Sequence, residues 1–252
     1  NDAITTPIAC TATYVFADTQ ELHDHFQHRI EREEYGRYGN PTVRTAEEKL
    51  AALDGAQDAA LFSSGMAAIT TTLFAMLRSG QHVVMTNDCY RRTRQFVNGV
   101  LAKFGVEATM VAPDDYEALE AAITPKTRAL LIDHVTSKTG LVLPIKQIVE
   151  MMNARDIDTV IDGAHAPGML PLELDEIGAT FYTGNCHKWI CSPKSCAILY
   201  VREDRKHALT PPMISHGESA THIDAQQKLF FEFDWLGTRD LTPLLCIPRA
   251  LD

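Results

Sequence analysis

Between about residue 43 and residue 201, apolar positions alternate between helical spacing and short continuous runs. Apolar residues three and four positions apart predict amphipathic helices, at 43–53, 66–78, 92–104, 114–123 and 144–154. Short apolar runs predict strands, at Ala59–Phe62, His82–Thr86, Ala108–Val111, Ala129–Asp133, Thr159–Asp162, Phe181–Thr183 and Ala197–Val201. Because strands that alternate with helices form β-α-β crossovers, the pattern predicts an α/β fold with a mostly parallel sheet and helices on both faces.

Local signals support several of the helix boundaries. Gly55 and Gly80 stand where a glycine ends a helix. Asp114, with Glu117 three residues later, is typical of a capping box at the start of the fourth helix. Pro144 stands where a first-turn proline belongs, which predicts that the fifth helix begins there.

The two ends of the chain differ from its middle. Residues 1–42 are polar and are predicted to form an N-terminal arm, in which the histidine-rich stretch from His23 to His28 is interpreted as a solvated helix face. Residues 43–252 are predicted to form one large domain. From Arg202 to Asp224 the composition becomes polar, with two consecutive prolines, which predicts a long surface loop.

Composition and charge narrow the class of protein. The 252 residues suffice for one large α/β domain, and 45% hydrophobic with 22% charged residues is ordinary for a globular protein. No apolar run has the ~18 residues of a membrane helix, and no secretory leader is visible. The 33 acidic and 23 basic residues give a net charge of -10, which argues against a nucleic-acid or anionic membrane surface.

Six cysteines are too few for a disulfide scaffold, which predicts reduced thiols and a cytoplasmic location. Cys186, Cys191 and Cys196 are clustered, and with His187 they could form a zinc site. Their spacing of five is wider than the close pairs of structural zinc sites. The sequence therefore favours three buried packing cysteines and no metal.

Several side chains that could bind a ligand follow predicted strands. In a doubly wound sheet, ligands bind at the carboxyl ends of the strands. Ser64 and Gly65 lie between the first strand and a helix, where small residues let helix amides approach a phosphate; a plain tight turn is the alternative. Tyr90 follows the second strand and could stack on a flat ring, or be an ordinary half-buried tyrosine.

Two charged residues complete this group. Asp162 ends the most apolar strand, where a carboxylate can hold a protonated ring nitrogen or cap a turn. Lys188 stands beside Trp189 in an apolar stretch. Burial would lower the pKa of its amine and make it a nucleophile for carbonyls, whereas a snorkelling lysine is the alternative. A phosphate turn, an aromatic ring, an aspartate and a lysine are together what pyridoxal 5′-phosphate requires.

The first half of the chain, about residues 3–125, resembles the Cys/Met-metabolism family of pyridoxal-phosphate enzymes, and cystathionine gamma-synthases in particular. The segments that carry this resemblance are YGRYGNPT at 35–42, SSGMAA at 63–68 and DCYRRTR at 88–94. The resemblance implies that Tyr35 and Arg37 reach the cofactor phosphate of a neighbouring subunit. It also implies that Gly65 and Met66 bind the phosphate through backbone amides and that Tyr90 stacks on the ring.

From about residue 130 the sequence resembles class V aminotransferase relatives, notably isopenicillin N epimerase-like proteins. The segments are HVTS at 134–137, DGAHAPG at 162–168, YTGNCHKW at 182–189 and GTRD at 237–240. This resemblance implies that Asp162 pairs with the pyridine nitrogen and that Lys188 forms the Schiff base. It adds five residues to the cofactor site, namely Ser137 at the ring hydroxyl, Asn185 and His187 beside the phosphate, Thr238 across the dimer, and His165.

Both resemblances imply the type I aminotransferase fold, so a junction between them near residues 125–130 is structurally reasonable. In these families a C-terminal small domain carries the arginine that grips the substrate carboxylate. Residues 203–252 lead toward that domain and the sequence ends at Asp252, so we expect the small domain to be missing. Arg239 is a possible carboxylate partner, or part of a surface salt bridge.

The combined features predict a pyridoxal-phosphate-dependent lyase or transferase that acts on sulfur-containing amino acids, with Lys188, Tyr90 and Asp162 as catalytic residues. We expect a homodimer or homotetramer with a small amino-acid substrate. One alternative is a class V-like epimerase, desulfurase or lyase. Another is a truncated or mosaic protein that binds the cofactor but is catalytically incomplete, and a third is a zinc protein.

Overall fold

A computed structural model of the chain describes residues 7–36, 39–56, 59–210, 233 and 240–252. The α-helices in this part of the chain are α1 Thr19–Phe26, α2 Pro41–Asp54, α3 Gly65–Met76, α4 Arg91–Gly99, α5 Tyr116–Ala121, α6 Ile145–Asn153, α7 Leu174–Ile177, α8 Thr242–Leu245 and α9 Ile247–Leu251. The strands are β1 Ala60–Phe62, β2 His82–Thr86, β3 Glu107–Val111, β4 Thr127–Asp133, β5 Asp158–Asp162, β6 Phe181–Asn185 and β7 Ala197–Val201.

The seven strands form one sheet in the order β1-β7-β6-β5-β4-β2-β3. Strands β2 to β6 are parallel to their neighbours in that series, whereas β7 is antiparallel to both β1 and β6. The predicted α/β fold with a mostly parallel sheet is therefore confirmed. Because β1 and β6 both run opposite to β7, the carboxyl end of β1 lies at the same edge of the sheet as those of the parallel strands.

Alternate residues of the central strand β4 pack on opposite faces of the sheet. Leu131 joins a core cluster with Ile69 of α3 and Val97 of α4, and we call this side the α3 face. Leu130 joins a second cluster with Ile148 of α6 on the other side. Since both faces are covered by helices, the parallel strands are apolar throughout rather than alternating, which is why their sequence pattern is a continuous run.

Two of the predicted helix details are wrong. The helix expected over 92–104 is interrupted: α4 ends at Gly99, a residue of low helix propensity, and a 3₁₀ turn, Leu101–Phe104, follows. This tighter turn buries Leu101 in the core. Asp115, not Asp114, caps α5, because its carboxylate accepts the Ala118 amide at 2.8 Å and so satisfies an amide of the first turn.

The N-terminal segment is more regular than its polar sequence suggests, because it contains α1. Asp18 caps this helix by accepting the Glu21 amide at 2.8 Å. None of the α1 residues is buried, as expected for a solvated helix face. Asn40 connects the segment to α2, since its side chain donates to the Ala9 carbonyl at 2.6 Å and accepts the Thr42 amide at 2.9 Å.

The loop predicted from Arg202 to Asp224 begins with a 3₁₀ helix, Glu203–Ala208. There the Arg205 guanidinium binds the Asp158 carboxylate at 2.8 Å, and residues from 211 to 224 lie outside the described part of the chain.

Pro144 is the cap residue of α6, one position before the helix begins. Within the described ranges, none of the helices has the length and apolarity to cross a membrane.

Leu131 tests the role of the central strand in stability, because its side chain is fully buried between β2 and β5 on the α3 face. We expect Leu131→Ala to lower the free energy of unfolding by about 2–5 kcal/mol, through lost apolar contact and the cavity it leaves. Leu53→Ala is the matched control at a helix position that is 68% exposed, and it should change stability by less than about 0.5 kcal/mol. Urea unfolding followed by circular dichroism measures both, and equal losses would contradict this account of the core.

Candidate active site

Two aspartates end adjacent parallel strands at the centre of the sheet. Asp133 is the last residue of β4 and Asp162 the last of β5, and the strand register pairs them directly. Both side chains are buried, at 3% and 4% exposure. Because side chains two positions apart in a strand share a face, and Leu131 and Val160 belong to the α3 face, the two carboxylates also lie on that face.

Helix α3 begins at this edge of the sheet. Asn185, the last residue of β6, accepts the Gly65 amide on its side-chain oxygen at 2.8 Å. A Cβ at position 65 would overlap the Asn185 amide, so this approach requires glycine. The Ser64 hydroxyl caps α3 by accepting the Ala67 amide at 3.0 Å, and Met66 is linked to α4 by a 3.5 Å contact between its sulfur and the Thr93 hydroxyl. The amino end of a twelve-residue helix, which favours anions, thus faces the strand ends.

Lys188 lies in the turn that follows β6, where its amide donates to the Asn185 carbonyl at 3.3 Å. Its Nζ is 3.0 Å from Nε2 of His165, in the loop after β5. Burial lowers the pKa of Lys188, and the negative charges of Asp162 and Asp133 partly oppose that shift. The expectation that burial depresses the pKa of this amine is therefore confirmed.

Glycines hold the loop after β5 against the Lys188 turn. A Cβ at Gly163 would overlap the Tyr182 ring of β6. Gly168 has φ +80°, and a Cβ there would lie 2.7 Å from the Trp189 backbone carbonyl carbon. These close approaches bring His165 to the lysine. They are a feature that the sequence analysis missed, although glycines at both ends of the 163–168 segment are a visible signal.

The electrostatics of the two aspartates differ. Asp162 accepts the Ala164 amide at 3.0 Å. Burial raises the pKa of Asp162, while that amide and Lys188 oppose the shift. Burial, Asp162 and Asp88 raise the pKa of Asp133 to about 8, against the opposing effects of Lys188 and the Ser137 amide. Asp133 was not among the residues predicted for the site, although it ends a buried apolar strand just as Asp162 does.

The histidines near Lys188 are held neutral. Burial and the Lys188 charge lower the pKa of His165 and of His187. The Nδ1 atom of His187 is buried and has no hydrogen-bond partner within the described residues. A neutral imidazole can accept a proton or a hydrogen bond at one nitrogen and donate from the other, so both side chains are able to bind polar ligand atoms.

Tyr90 and Ser137 lie on loops next to the aspartates. Tyr90 is the residue before α4, and its side chain is 43% exposed, which leaves the ring free to stack. The neighbouring Cys89 is buried, and burial together with Asp133 and Asp162 raises the pKa of its thiol. Ser137 is exposed in the turn after β4. The structure thus brings most of the predicted site residues to one edge, and these are Ser64, Gly65, Met66, Tyr90, Ser137, Asp162, His165, Asn185, His187 and Lys188.

Four predicted residues are not among the described members of this cluster. Tyr35 lies in the N-terminal arm, where it pairs with Thr13. Arg37 and Thr238 lie outside the described residues, and so does Arg239.

The cysteine cluster is only partly as expected. Cys186 and Cys196 are buried, and the Cys196 thiol donates to the Pro193 carbonyl at 2.9 Å. Cys191 is exposed, so the expectation that all three are buried is wrong for this residue. Its left-handed backbone, with φ 62°, turns the chain outward between the two buried cysteines. The part of the chain that is described contains no group of three metal-binding side chains.

Comparisons with known proteins agree with this geometry. The family model described as Cys/Met metabolism PLP-dependent enzyme, where PLP is pyridoxal 5′-phosphate, matches residues 1–192. The match includes Asp162 and Lys188 and continues past the predicted junction at 125–130. A cystathionine gamma-lyase structure from Lactobacillus plantarum superposes with a TM-score of 0.74 at 22% identity, over 97% of this chain and 57% of that one. The similarity to this structure confirms the predicted fold.

Similar sequences come from both predicted groups. Chloroplastic cystathionine gamma-synthase 1 of Nicotiana tabacum is 41% identical over 243 residues, which is 90% of this chain and 45% of that protein. Isopenicillin N epimerase of Amycolatopsis lactamdurans is 32% identical over 234 residues, 84% of this chain and 59% of that protein. The chain thus spans about half the length of these relatives. From the family match and the strand-end site together, we conclude that this chain belongs to the Cys/Met metabolism family of PLP-dependent enzymes.

Proposed function

We propose that this chain forms the cofactor-binding part of a lyase or transferase that acts on sulfur-containing amino acids by elimination or replacement. The observation that carries this proposal is the position of Lys188. Its amine has a lowered pKa, is 3.0 Å from His165 and interacts with the Asp162 carboxylate at the edge where α3 begins. Membership of the Cys/Met metabolism family and the similarity to cystathionine gamma-synthase support the substrate class.

The residues at this edge have the chemistry that pyridoxal phosphate requires. The Asp162 carboxylate is buried and holds one backbone amide, which suits it to a protonated ring nitrogen. The start of α3 has no room for a Cβ at Gly65, whose amide donates to the Asn185 side chain, and the positive end of the helix dipole there favours an anion. When bound, pyridoxal phosphate supplies an aldehyde for covalent attachment and a ring that accepts electrons from the substrate.

Lys188 performs two tasks in this proposal. Its lowered pKa increases the fraction of neutral amine at a given pH, and the neutral amine is the form that attacks an aldehyde. With the cofactor and an amino-acid substrate bound, Lys188 Nζ would be the general base for the proton on the substrate Cα. Burial and the Lys188 charge lower the pKa of His165, so its imidazole is neutral. It therefore orients Lys188 Nζ without adding a second positive charge beside it.

The remaining side chains bind and orient the cofactor. Asp162 would pair with a protonated ring nitrogen, and Tyr90 would stack on the ring. The phosphate would be held at the start of α3, and the ring hydroxyl from the loop after β4. The residues assigned to the phosphate are Ser64, Gly65, Met66, Asn185 and His187, Ser137 is assigned to the ring hydroxyl, and His165 is a further cofactor-binding residue.

The protein acts as a homodimer or homotetramer in this proposal. Residues 1–42 form an arm whose Tyr35 and Arg37 reach the phosphate of a neighbouring subunit, and residues 43–252 form the large domain, to which Thr238 contributes across the interface. All six cysteines are free thiols, which supports a reducing compartment such as the cytoplasm.

A second candidate function is that of a class V-like epimerase, desulfurase or lyase. It is favoured by the 3.0 Å contact between His165 and Lys188, since both residues belong to the segments that resemble isopenicillin N epimerase. In the epimerase case the same lysine would remove the Cα proton, and a proton would be returned to the opposite face of Cα without loss of a side-chain substituent. A protein that binds the cofactor but is catalytically incomplete is the third possibility that the experiments below separate.

Lys188→Ala tests the assignment of the lysine. We expect the variant to fold and to lose the visible absorbance of covalently attached pyridoxal phosphate, because no other amine occupies this position. Borohydride reduction followed by peptide mass spectrometry should label the wild-type peptide that contains Lys188. Lys194→Ala removes an exposed lysine six positions later and should keep both signals. A Lys188→Ala protein that still shows the absorbance and the label would refute the assignment.

The reaction type is tested with cystathionine, L-cysteine and an O-acylhomoserine, each alone and the last two together, incubated with the cofactor-loaded chain. Elimination should release a 2-oxo acid and ammonia, together with a thiol or hydrogen sulfide from the sulfur substrates or a carboxylic acid from the O-acylhomoserine. Replacement should join L-cysteine to the O-acylhomoserine in a new thioether with release of the carboxylic acid, and mass spectrometry detects both outcomes. Epimerisation should instead incorporate deuterium at Cα from D₂O with inversion and no release. A protein that holds the cofactor, yet changes none of these substrates, would favour the incomplete alternative.

Mixing two inactive variants tests whether the arm acts across subunits. Arg37→Ala should weaken cofactor binding, and Lys188→Ala should abolish covalent attachment. If Arg37 acts on the neighbouring subunit of a dimer, random exchange of subunits should restore about a quarter of the sites. Mixing Arg37→Ala with Asp162→Ala in the same way should restore sites similarly, whereas an Arg37 that acts within its own subunit would restore none in either mixture.

A further inference from the structure

We propose that Asp133 is a positioning residue of this site: it holds a proton beside Asp162 and thereby keeps the Asp162 carboxylate ionised and directed at the cofactor. This inference rests on the function proposed for Asp162. Neither the motifs of the sequence nor the family similarity assigns a role to Asp133.

The geometry brings the two carboxyl groups together. Asp133 and Asp162 are register partners at the ends of parallel β4 and β5, where neighbouring strands are about 4.8 Å apart. Both side chains are on the α3 face, and both are buried. Two negative charges at this separation, out of water, repel each other strongly, so such a pair retains a proton over a wide pH range.

The groups that face Asp133 supply too little positive charge to ionise both carboxyls. They are Asp162 from β5, Asp88 and Cys89 from the loop after β2, and Lys188 from the turn after β6. Lys188 is the one cation among them. In the proposed mechanism its amine is neutral whenever it attacks an aldehyde or waits to accept a proton, so one carboxyl then needs a proton of its own.

The charge around each carboxyl decides which aspartate holds that proton. One backbone amide stabilises the ionised form of each, Ala164 for Asp162 and Ser137 for Asp133. Asp133 has the further negative charge of Asp88 nearby, and its Oδ1 is buried without a hydrogen-bond partner among the described residues. A proton on Asp133 removes the charge that Asp88 repels. It also gives the Asp133 carboxyl an O–H group that donates to the Asp162 carboxylate.

The result is an asymmetric pair. Protonated Asp133 donates to Asp162, and ionised Asp162 keeps its second oxygen for the ring nitrogen. The donor role can be filled by an asparagine amide, which has the same shape and no charge, but not by an alanine. Comparison of Asp133→Asn with Asp133→Ala therefore distinguishes an Asp133 that acts as a protonated donor from one that acts as an ionised carboxylate. Asp156→Asn is the matched control, at an exposed position with φ 54° that asparagine tolerates.

The first measurement uses the chain without cofactor. An aspartate whose pKa in the folded protein is about 8 keeps a proton that the unfolded chain loses near pH 4, so its contribution to stability falls as the pH rises between these values and is constant above. Relative to the wild type and to Asp156→Asn, we expect the urea midpoint of Asp133→Asn to rise as the pH increases over this window, because the neutral amide does not titrate. Other groups that titrate here, such as the histidines with lowered pKa values, are the same in all three proteins.

The second measurement is cofactor affinity at neutral pH, by fluorescence or absorbance titration with pyridoxal phosphate. Asp133→Asn should bind within about threefold of the wild type, whereas Asp133→Ala should bind about tenfold or more weakly, as expected for one lost hydrogen bond to a charged group. A purely structural role would alter the unfolding midpoint equally at every pH.

The proposal is overturned if Asp133→Asn leaves the pH dependence of unfolding unchanged, or if it weakens cofactor binding as much as Asp133→Ala does, since Asp133 would then act as an ionised carboxylate. If the wild type itself fails to bind pyridoxal phosphate, the proposed function fails instead. The unfolding profiles then decide alone whether the two aspartates share a proton.

Discussion

The burial of two carboxyl groups at the ends of adjacent strands is the constraint on which this site depends. Parallel β4 and β5 bring Asp133 and Asp162 into register on a face that α3 covers. A buried charge must be paired or neutralised, since the loss of hydration costs several kcal/mol. Lys188 and the Ala164 amide are the compensating groups that the structure provides, and the proton that we propose on Asp133 adds to them.

The same burial sets the properties of the lysine. Desolvation lowers the pKa of Lys188, and the carboxylates limit that decrease. The amine therefore loses its proton more readily than that of an exposed lysine, which suits a group that is both a nucleophile and a base. Its surroundings depend on glycine, because Gly163 and Gly168 let the loop after β5 approach β6 closely enough for His165 to meet Lys188.

The alternation of apolar periods along the chain was sufficient to predict the class of fold and the position of each sheet strand, because fully buried parallel strands have a distinctive continuous pattern. It was less informative at helix ends. The break of α4 after Gly99 and the cap at Asp115 are each set to within a single residue. Neighbouring residues, such as Asp114 beside Asp115, carry similar local signals, so the sequence does not distinguish them.

For the site, the sequence alone identified the chemical types and their order: an amino end of a helix at Gly65, a ring at Tyr90, a carboxylate at Asp162 and an amine at Lys188. Only the tertiary structure decided which groups interact. It paired Asp133 with Asp162 and His165 with Lys188, and it separated exposed Cys191 from its buried neighbours. The spacing of residues along the sequence specifies on which face and at which end of a helix or strand a side chain lies. Its electrostatic partners depend instead on the order and register of strands that are distant in sequence.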